Sequence, residues 1–306
     1  MLAFDVPSSA PRHLATPPPG RRFVHVAPGP DTLLAPLTSG WRGKLSTPPH
    51  SYRVTAVVPH LDTIEPLRVC LDVLRCQSER PYLLVIDTGS PAPVRAELER
   101  LRAEDCEVHF IAGHGWRHSS EPVAVALDLS HALCRTEFVF HTHSDCFLRR
   151  REFIAELVAR CGAHAPIHGY RMSPREWVTN DWQWMVGHVA ALMHMPTLNK
   201  SGVTWSMQRM NQQFGVQWES GQIGWPDTEV GFNHCLRAAG ITPQFLGDDQ
   251  NFTRQVDENI DHVRSHPGSK LYEPNYHAKA TGWMRTAILE ALARIETWTS
   301  KPISTT

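Results

Sequence analysis

No apolar run in this sequence approaches the roughly 18 residues that a membrane-spanning helix needs, so no integral membrane segment is expected. Neither charge sign is in excess, with 30 Lys and Arg against 31 Asp and Glu. A global basic field is therefore missing, and no extended nucleic-acid footprint is expected. The seven Cys are odd in number and contain no Cys-x-x-Cys pair. That argues against a zinc cluster or a disulfide framework and for reduced thiols. With no basic-then-apolar leader at the N-terminus, a cytoplasmic location is the expectation. What remains is a globular composition of 42% hydrophobic and 20% charged residues over 306 positions. The 18 His are many, and their positions must decide which of them matter.

Residues 1–50 hold ten of the 24 Pro, including Pro17-Pro18-Pro19. Each Pro removes a backbone donor and clashes with a preceding helical turn, so an extended arm is expected there. The pattern changes at Tyr52. Val54-Thr55-Ala56-Val57-Val58 reads as a buried strand, and Asp62-Thr63-Ile64-Glu65 resembles a capping box that opens a helix with Pro66 in its first turn. Tyr82 to Ile86, Val108 to Ile111 and Phe138 to Phe140 read as three more strands, with helices marked by Val94, Leu98 and Leu101 and by residues 121–134. Alternating strands and helices predict an α/β fold with a parallel sheet covered on both faces. Right-handed crossovers bring all strand C-termini to one rim, where ligands bind. The polar turns His60 to Asp62, Asp87 to Ser90, Gly113 to Arg117 and His143 to Asp145 should therefore share one crevice.

The second half is less regular and shows few clear strands. Six of the ten Trp lie between Trp177 and Trp225. They fill a core or form a flat platform for a sugar. Asp227-Thr228-Glu229 opens a helix that Gly240 closes, and a last helix runs from about Trp283 to Trp298.

Over residues 52–240 the chain resembles the family 2 glycosyltransferases of GT-A fold. Val57-Val58-Pro59-His60 with the helix ending at Gln77 resembles that family's opening, and Val85-Ile86-Asp87-Thr88-Gly89-Ser90 its Val-Val-Asp-Asp-Gly-Ser turn. Phe138-Val139-Phe140 leading to His143-Ser144-Asp145 resembles the strand before its Asp-x-Asp motif, and Asp227-Thr228-Glu229 its acidic helix start. Two positions depart: His143 stands for the first Asp of Asp-x-Asp, and Pro226 for the acidic residue before the catalytic Asp.

The resemblance implies a Rossmann-like, mostly parallel sheet. It implies residues 51–150 as a nucleotide-sugar-binding half, and residues 151–306 as an acceptor-binding and catalytic-base half of the same domain. It implies inverting transfer from a nucleotide-sugar, a UDP-sugar first, to the hydroxyl of an unidentified glycan, metabolite or other acceptor. Mn²⁺ or Mg²⁺ would be held by Asp145 and His262. His143 would either contact ribose or phosphate or ligate the ion, and Asp227, or else Glu229, would be the base. Pro59, His60, Asp62, Asp87, Gly89, Arg117 and Asp128 would bind donor. For Asp87 this role competes with a turn cap, and Arg264, Ser269 and Lys270 either hold phosphate or form a solvated turn. His143 and Pro226 also motivate an alternative, a catalytically impaired nucleotide-binding or scaffolding protein of the same fold. A sugar nucleotidyltransferase would need a Gly-rich basic loop where Pro59-His60-Leu61-Asp62 stands.

Overall fold

A computed structural model describes residues 23–25, 51–111, 121–172, 184–205, 216–218, 228–249, 254–264 and 276–300. The strands among them are β1 (Phe23–His25), β2 (Val54–His60), β3 (Tyr82–Asp87), β4 (Cys106–Phe110), β5 (Phe138–His141), β6 (Cys146–Leu148), β7 (Ile167–Arg171), β8 (Ala191–His194), β9 (Val216–Trp218), β10 (Gln244–Asp248), β11 (Gln255–Val256) and β12 (Ile260–His262). The helices are α1 (Ile64–Arg75), α2 (Ala92–Glu99), α3 (Glu121–Leu133), α4 (Phe153–Arg160), α5 (Met195–Ser201), α6 (Thr228–Ala238) and α7 (Tyr276–Ser300).

The main sheet has seven strands in the order β10-β7-β8-β5-β2-β3-β4. Strands β5, β2, β3 and β4 run parallel, as expected, while β8 is antiparallel to both β5 and β7. Strand alternation divides the core in two. Val57, Leu84 and Ile86 face α3, α6 and Trp205 on one side. Ala56, Val58, Leu83 and Val85 face α1, α4 and α7 on the other. A buried aliphatic side chain contributes about 1.5–3 kcal/mol. An exposed ion pair contributes about 0–1 kcal/mol. Pairs such as Arg53–Glu137, about half exposed at both ends, are therefore minor beside these two layers.

Strands β7, β8 and β10 come from the half in which few strands are legible, and they lie in the same sheet as β2 to β5. A second sheet, β11-β12-β6, pairs β12 antiparallel with β6 and sets His262 opposite Cys146. In the Pro-rich arm, β1 pairs with β9. The capping box is not formed. Asp62 takes a left-handed φ of 59°, Thr63 becomes the N-cap without a side-chain bond to the helix, and its hydroxyl bonds Ser144 Oγ at 3.0 Å instead. The residue that would have served helix α1 alone ties β2 to the loop after β5. All seven cysteines are free, and six of them are buried.

Candidate active site

β2 lies between β3 and β5, and the strand order runs away from it in both directions. A parallel sheet opens a crevice at such a reversal. Here it is a cleft of about 500 Å³ open to solvent, lined by residues that include Pro59, His60, Thr88, His143, Ser144 and Asp145. Three of the four polar turns thus meet as expected. The fourth, with Arg117, lies outside the described residues.

On the β3 side, Asp87 is fully buried. His60 Nδ1 lies 3.1 Å from its Oδ1, Ser90 Oγ donates to the same oxygen at 2.5 Å, and the amides of Gly89 and Ser90 donate to Oδ2 at 3.3 and 3.1 Å. Those four contacts match a carboxylate's acceptor capacity. Gly89 takes a φ of 126°, which other residues rarely adopt, so the turn needs glycine there. His60 Nε2 accepts the Thr63 amide at 3.1 Å, and Ser90 Oγ accepts the Asp62 amide at 2.9 Å. Asp87 is thus the hub that fixes the cleft's floor.

Burial alone would raise the Asp87 carboxyl, but the bonds from His60 and Ser90 outweigh it and hold the group below its ordinary range. A carboxylate depressed in the folded state contributes stability above its unfolded pKa and loses it as pH falls. Asp87→Asn should therefore melt below wild type at pH 7, by the equivalent of about 1–3 kcal/mol for broken buried bonds. The gap should close as pH falls through the carboxylate range. A gap unchanged between pH 7 and pH 3 in thermal melts would show that the carboxylate charge is immaterial.

On the β5 side, His143, Asp145 and His262 bring one ligand atom each to within 4.8 Å of one another. The pairing of β12 with β6 explains why residues so far apart meet: His262 lies opposite Cys146, and the Val263 amide donates to the Asp145 carbonyl at 3.0 Å. His262 Nε2 stands 3.4 Å from Asp145 Oδ1, and His143 Nδ1 stands 4.0 Å from the same oxygen. Both ring nitrogens of His262 are buried without a hydrogen-bond partner. A buried imidazole with two unpaired nitrogens beside a carboxylate is costly unless something else binds there. Two imidazoles and one carboxylate suit a divalent transition ion such as Mn²⁺ better than Mg²⁺, which favours all-oxygen sites. Burial, followed by the neighbouring His188 and His262, pushes the His143 imidazole well below the ordinary histidine range. That direction favours the neutral ring, the form a ligand needs.

Asp128 is buried in α3, where Thr204 Oγ1 and the Trp205 amide donate to it at 2.5 and 2.6 Å. It secures the segment that carries Trp205. Trp205 is itself wholly buried and stacked on Phe232 at 3.6 Å, so it fills core. Trp177, Trp182, Trp225, Asp227, Ser269 and Lys270 lie outside the described residues. Arg264, at a φ of 58°, is ion-paired with Asp249.

Glu229 is buried, and its Oε1 accepts the His188 amide at 3.0 Å. His188 was not singled out in the sequence, yet its Nε2 lies 2.5 Å from His143 Nε2. Nothing in Val186-Gly187-His188-Val189 signals this, because the contact depends on β8 pairing beside β5 and on α6 binding residues 186–188.

No family model matches the chain, and no curated protein matches it. Some solved structures are similar to it at low identity. S. aureus TarS is 12% identical with a TM-score of 0.44 over 81% of this chain, which spans only 42% of that one. Residues 1–349 of TarS in complex with UDP-GlcNAc are 13% identical, with a TM-score of 0.44, 78% of this chain and 66% of that one. The mannosyltransferase PcManGT from Pyrobaculum calidifontis, in complex with GDP-Man and Mn²⁺, is 16% identical with a TM-score of 0.44, covering 86% and 83%.

Proposed function

We propose that this chain is a metal-dependent, inverting glycosyltransferase that uses a nucleotide-sugar donor, a UDP-sugar first. The observation that carries the reading is the meeting of His143, Asp145 and His262 at the rim of the β2–β5 crevice, beside the turn organised by His60 and Asp87. The cleft offers an apolar wall at Pro59, Pro122 and Val123 and a ligand cluster a few ångströms away. That juxtaposition suits a flat base and a diphosphate.

Asp145 and His262 would hold Mn²⁺, which when bound offsets the negative charge that builds on the departing diphosphate. Pro59 and His60 line the base pocket, and Asp87 keeps them in place through its turn. Asp227, just before α6, takes the proton from the acceptor hydroxyl as its oxygen attacks the anomeric carbon opposite the leaving group. One displacement of that kind inverts the anomeric configuration.

The test is release of nucleoside diphosphate from UDP-, GDP- and dTDP-sugars, with and without Mn²⁺. Turnover of one donor is expected, stopped by chelation and restored by Mn²⁺ more fully than by Mg²⁺. Nucleotide binding without turnover of any donor would instead favour the impaired, scaffolding alternative.

A further inference from the structure

His143 occupies a position where the resembled motif has a carboxylate, and its ring makes a contact that a carboxylate could not. His143 Nε2 lies 2.5 Å from His188 Nε2, with ring centroids 4.6 Å apart. At that separation one nitrogen carries a proton and the other offers a lone pair. The far nitrogen of His188, Nδ1, lies 2.8 Å from Glu229 Oε1, a close ion-pair contact rather than a well-aligned hydrogen bond. An unprotonated Nδ1 would set the negative end of the ring dipole 2.8 Å from a carboxylate oxygen and be repelled, so Nδ1 carries the proton. His188 Nε2 is then the acceptor, His143 Nε2 is the donor, and the His143 lone pair is left on Nδ1. That atom lies 4.0 Å from Asp145 Oδ1.

We propose that Glu229, acting through His188, fixes the tautomer of His143 so that Nδ1 serves as a third protein ligand beside Asp145 and His262. The proposal rests on the metal-dependent reading above and deepens it. It explains how the site retains three ligands although the first carboxylate of the motif is missing. It also assigns Glu229 and His188 as positioning residues.

The surrounding structure is built to hold this chain in line. Glu229 and Asn233 lie one turn apart on α6 and both grip residues 186–188. Asn233 Oδ1 accepts the Val186 amide at 2.8 Å, its Nδ2 donates to the Val186 carbonyl at 2.7 Å, and Glu229 takes the His188 amide. Gly187 lets the carboxylate approach, since a Cβ there would lie 3.0 Å from Glu229 Oε1. Trp205 meets the His188 ring edge to face at 5.9 Å. Partners that orient a ligating histidine from behind typically change metal affinity by about 10–100-fold when removed.

The experiment is calorimetric titration of the metal-free protein with Mn²⁺, and with Co²⁺ to read its visible absorption, in the absence of any donor. His143→Ala and His188→Leu should each weaken binding by about 10–100-fold. His188→Gln, whose carboxamide oxygen still accepts the His143 proton, should stay within a few-fold of wild type. The Co²⁺ absorption should change in His143→Ala. Melting of each metal-free variant reports folding, and His143→Ala, at a partly exposed ring, supplies the comparison if His188→Leu does not fold. Wild-type affinity in His143→Ala, or in folded His188→Leu, would overturn the proposal and leave the transferase reading to be judged by wild-type turnover. Equal losses in His188→Leu and His188→Gln would reduce His188 to packing and overturn it as well. Failure of wild type to bind either ion would sink both this proposal and the metal-dependent part of the function. The expected pattern in a protein that turns over no donor would sink the transferase reading alone.

Discussion

Asp145→Asn is expected to lower donor turnover by at least about a thousandfold, since losing even one preorganised group that stabilises developing charge costs about 10²–10³ in rate. A thousandfold corresponds to about 4 kcal/mol of transition-state stabilisation. The carboxylate is nearly buried, sits at the turn between β5 and β6, and is the one acidic member of the cluster with His143 and His262. An Asn of the same shape keeps the turn but withdraws the charge, so the thermal midpoint without metal should stay close to wild type. Steady-state kinetics at saturating Mn²⁺ checks the effect. A variant that retains a tenth or more of wild-type kcat/KM would remove Asp145 from the centre of the account.

The second large effect is at the base. Asp227→Asn should reduce transfer to acceptor by about 10²–10⁴-fold, the usual contribution of a positioned general base. Donor affinity should be nearly unchanged, because the role proposed for Asp227 is on the acceptor proton alone. Asp227 lies outside the described residues, immediately before α6. The first turn of that helix carries Glu229, whose Oε1 accepts the His188 amide. Engaged in that way, Glu229 is poorly placed to collect a second proton, which favours Asp227 as the base. Comparing transfer with donor hydrolysis separates the two: loss of transfer with donor binding intact supports Asp227. A full loss in Glu229→Gln, with Asp227→Asn active, would exchange their roles.

The first half of the fold was legible because its signals are local. Val54 to Val58 and Tyr82 to Ile86 are continuous β-rich runs, and a strand buried on both faces must read that way. The turns after them were legible for the same reason, since strand ends in a parallel sheet share a rim. Ile167–Arg171 and Gln244–Asp248 were not, because His168, Gly169 and Gly247 interrupt the apolar pattern and neither run alternates. Within the site, Asp145 and His262 could be named in advance only through family resemblance, but the strand pairing that joins them spans more than a hundred residues. The capping box illustrates a local rule overridden by a tertiary one: Thr63 spends its hydroxyl on Ser144 across the cleft rather than on its own helix. His188 had no signal at all. Its meaning lies in two contacts, with His143 and Glu229, each more than 40 residues away.

The account stands on one joint site for ion and nucleotide at the β2–β5 reversal. Calorimetry of the turned-over donor's nucleoside diphosphate against wild type and Asp145→Asn, each with and without Mn²⁺, tests this most directly. The expected result is binding to wild type that tightens at least tenfold with Mn²⁺, about 1.4 kcal/mol, and no such gain in Asp145→Asn. Equal affinity in all four titrations, or none in any, would contradict it.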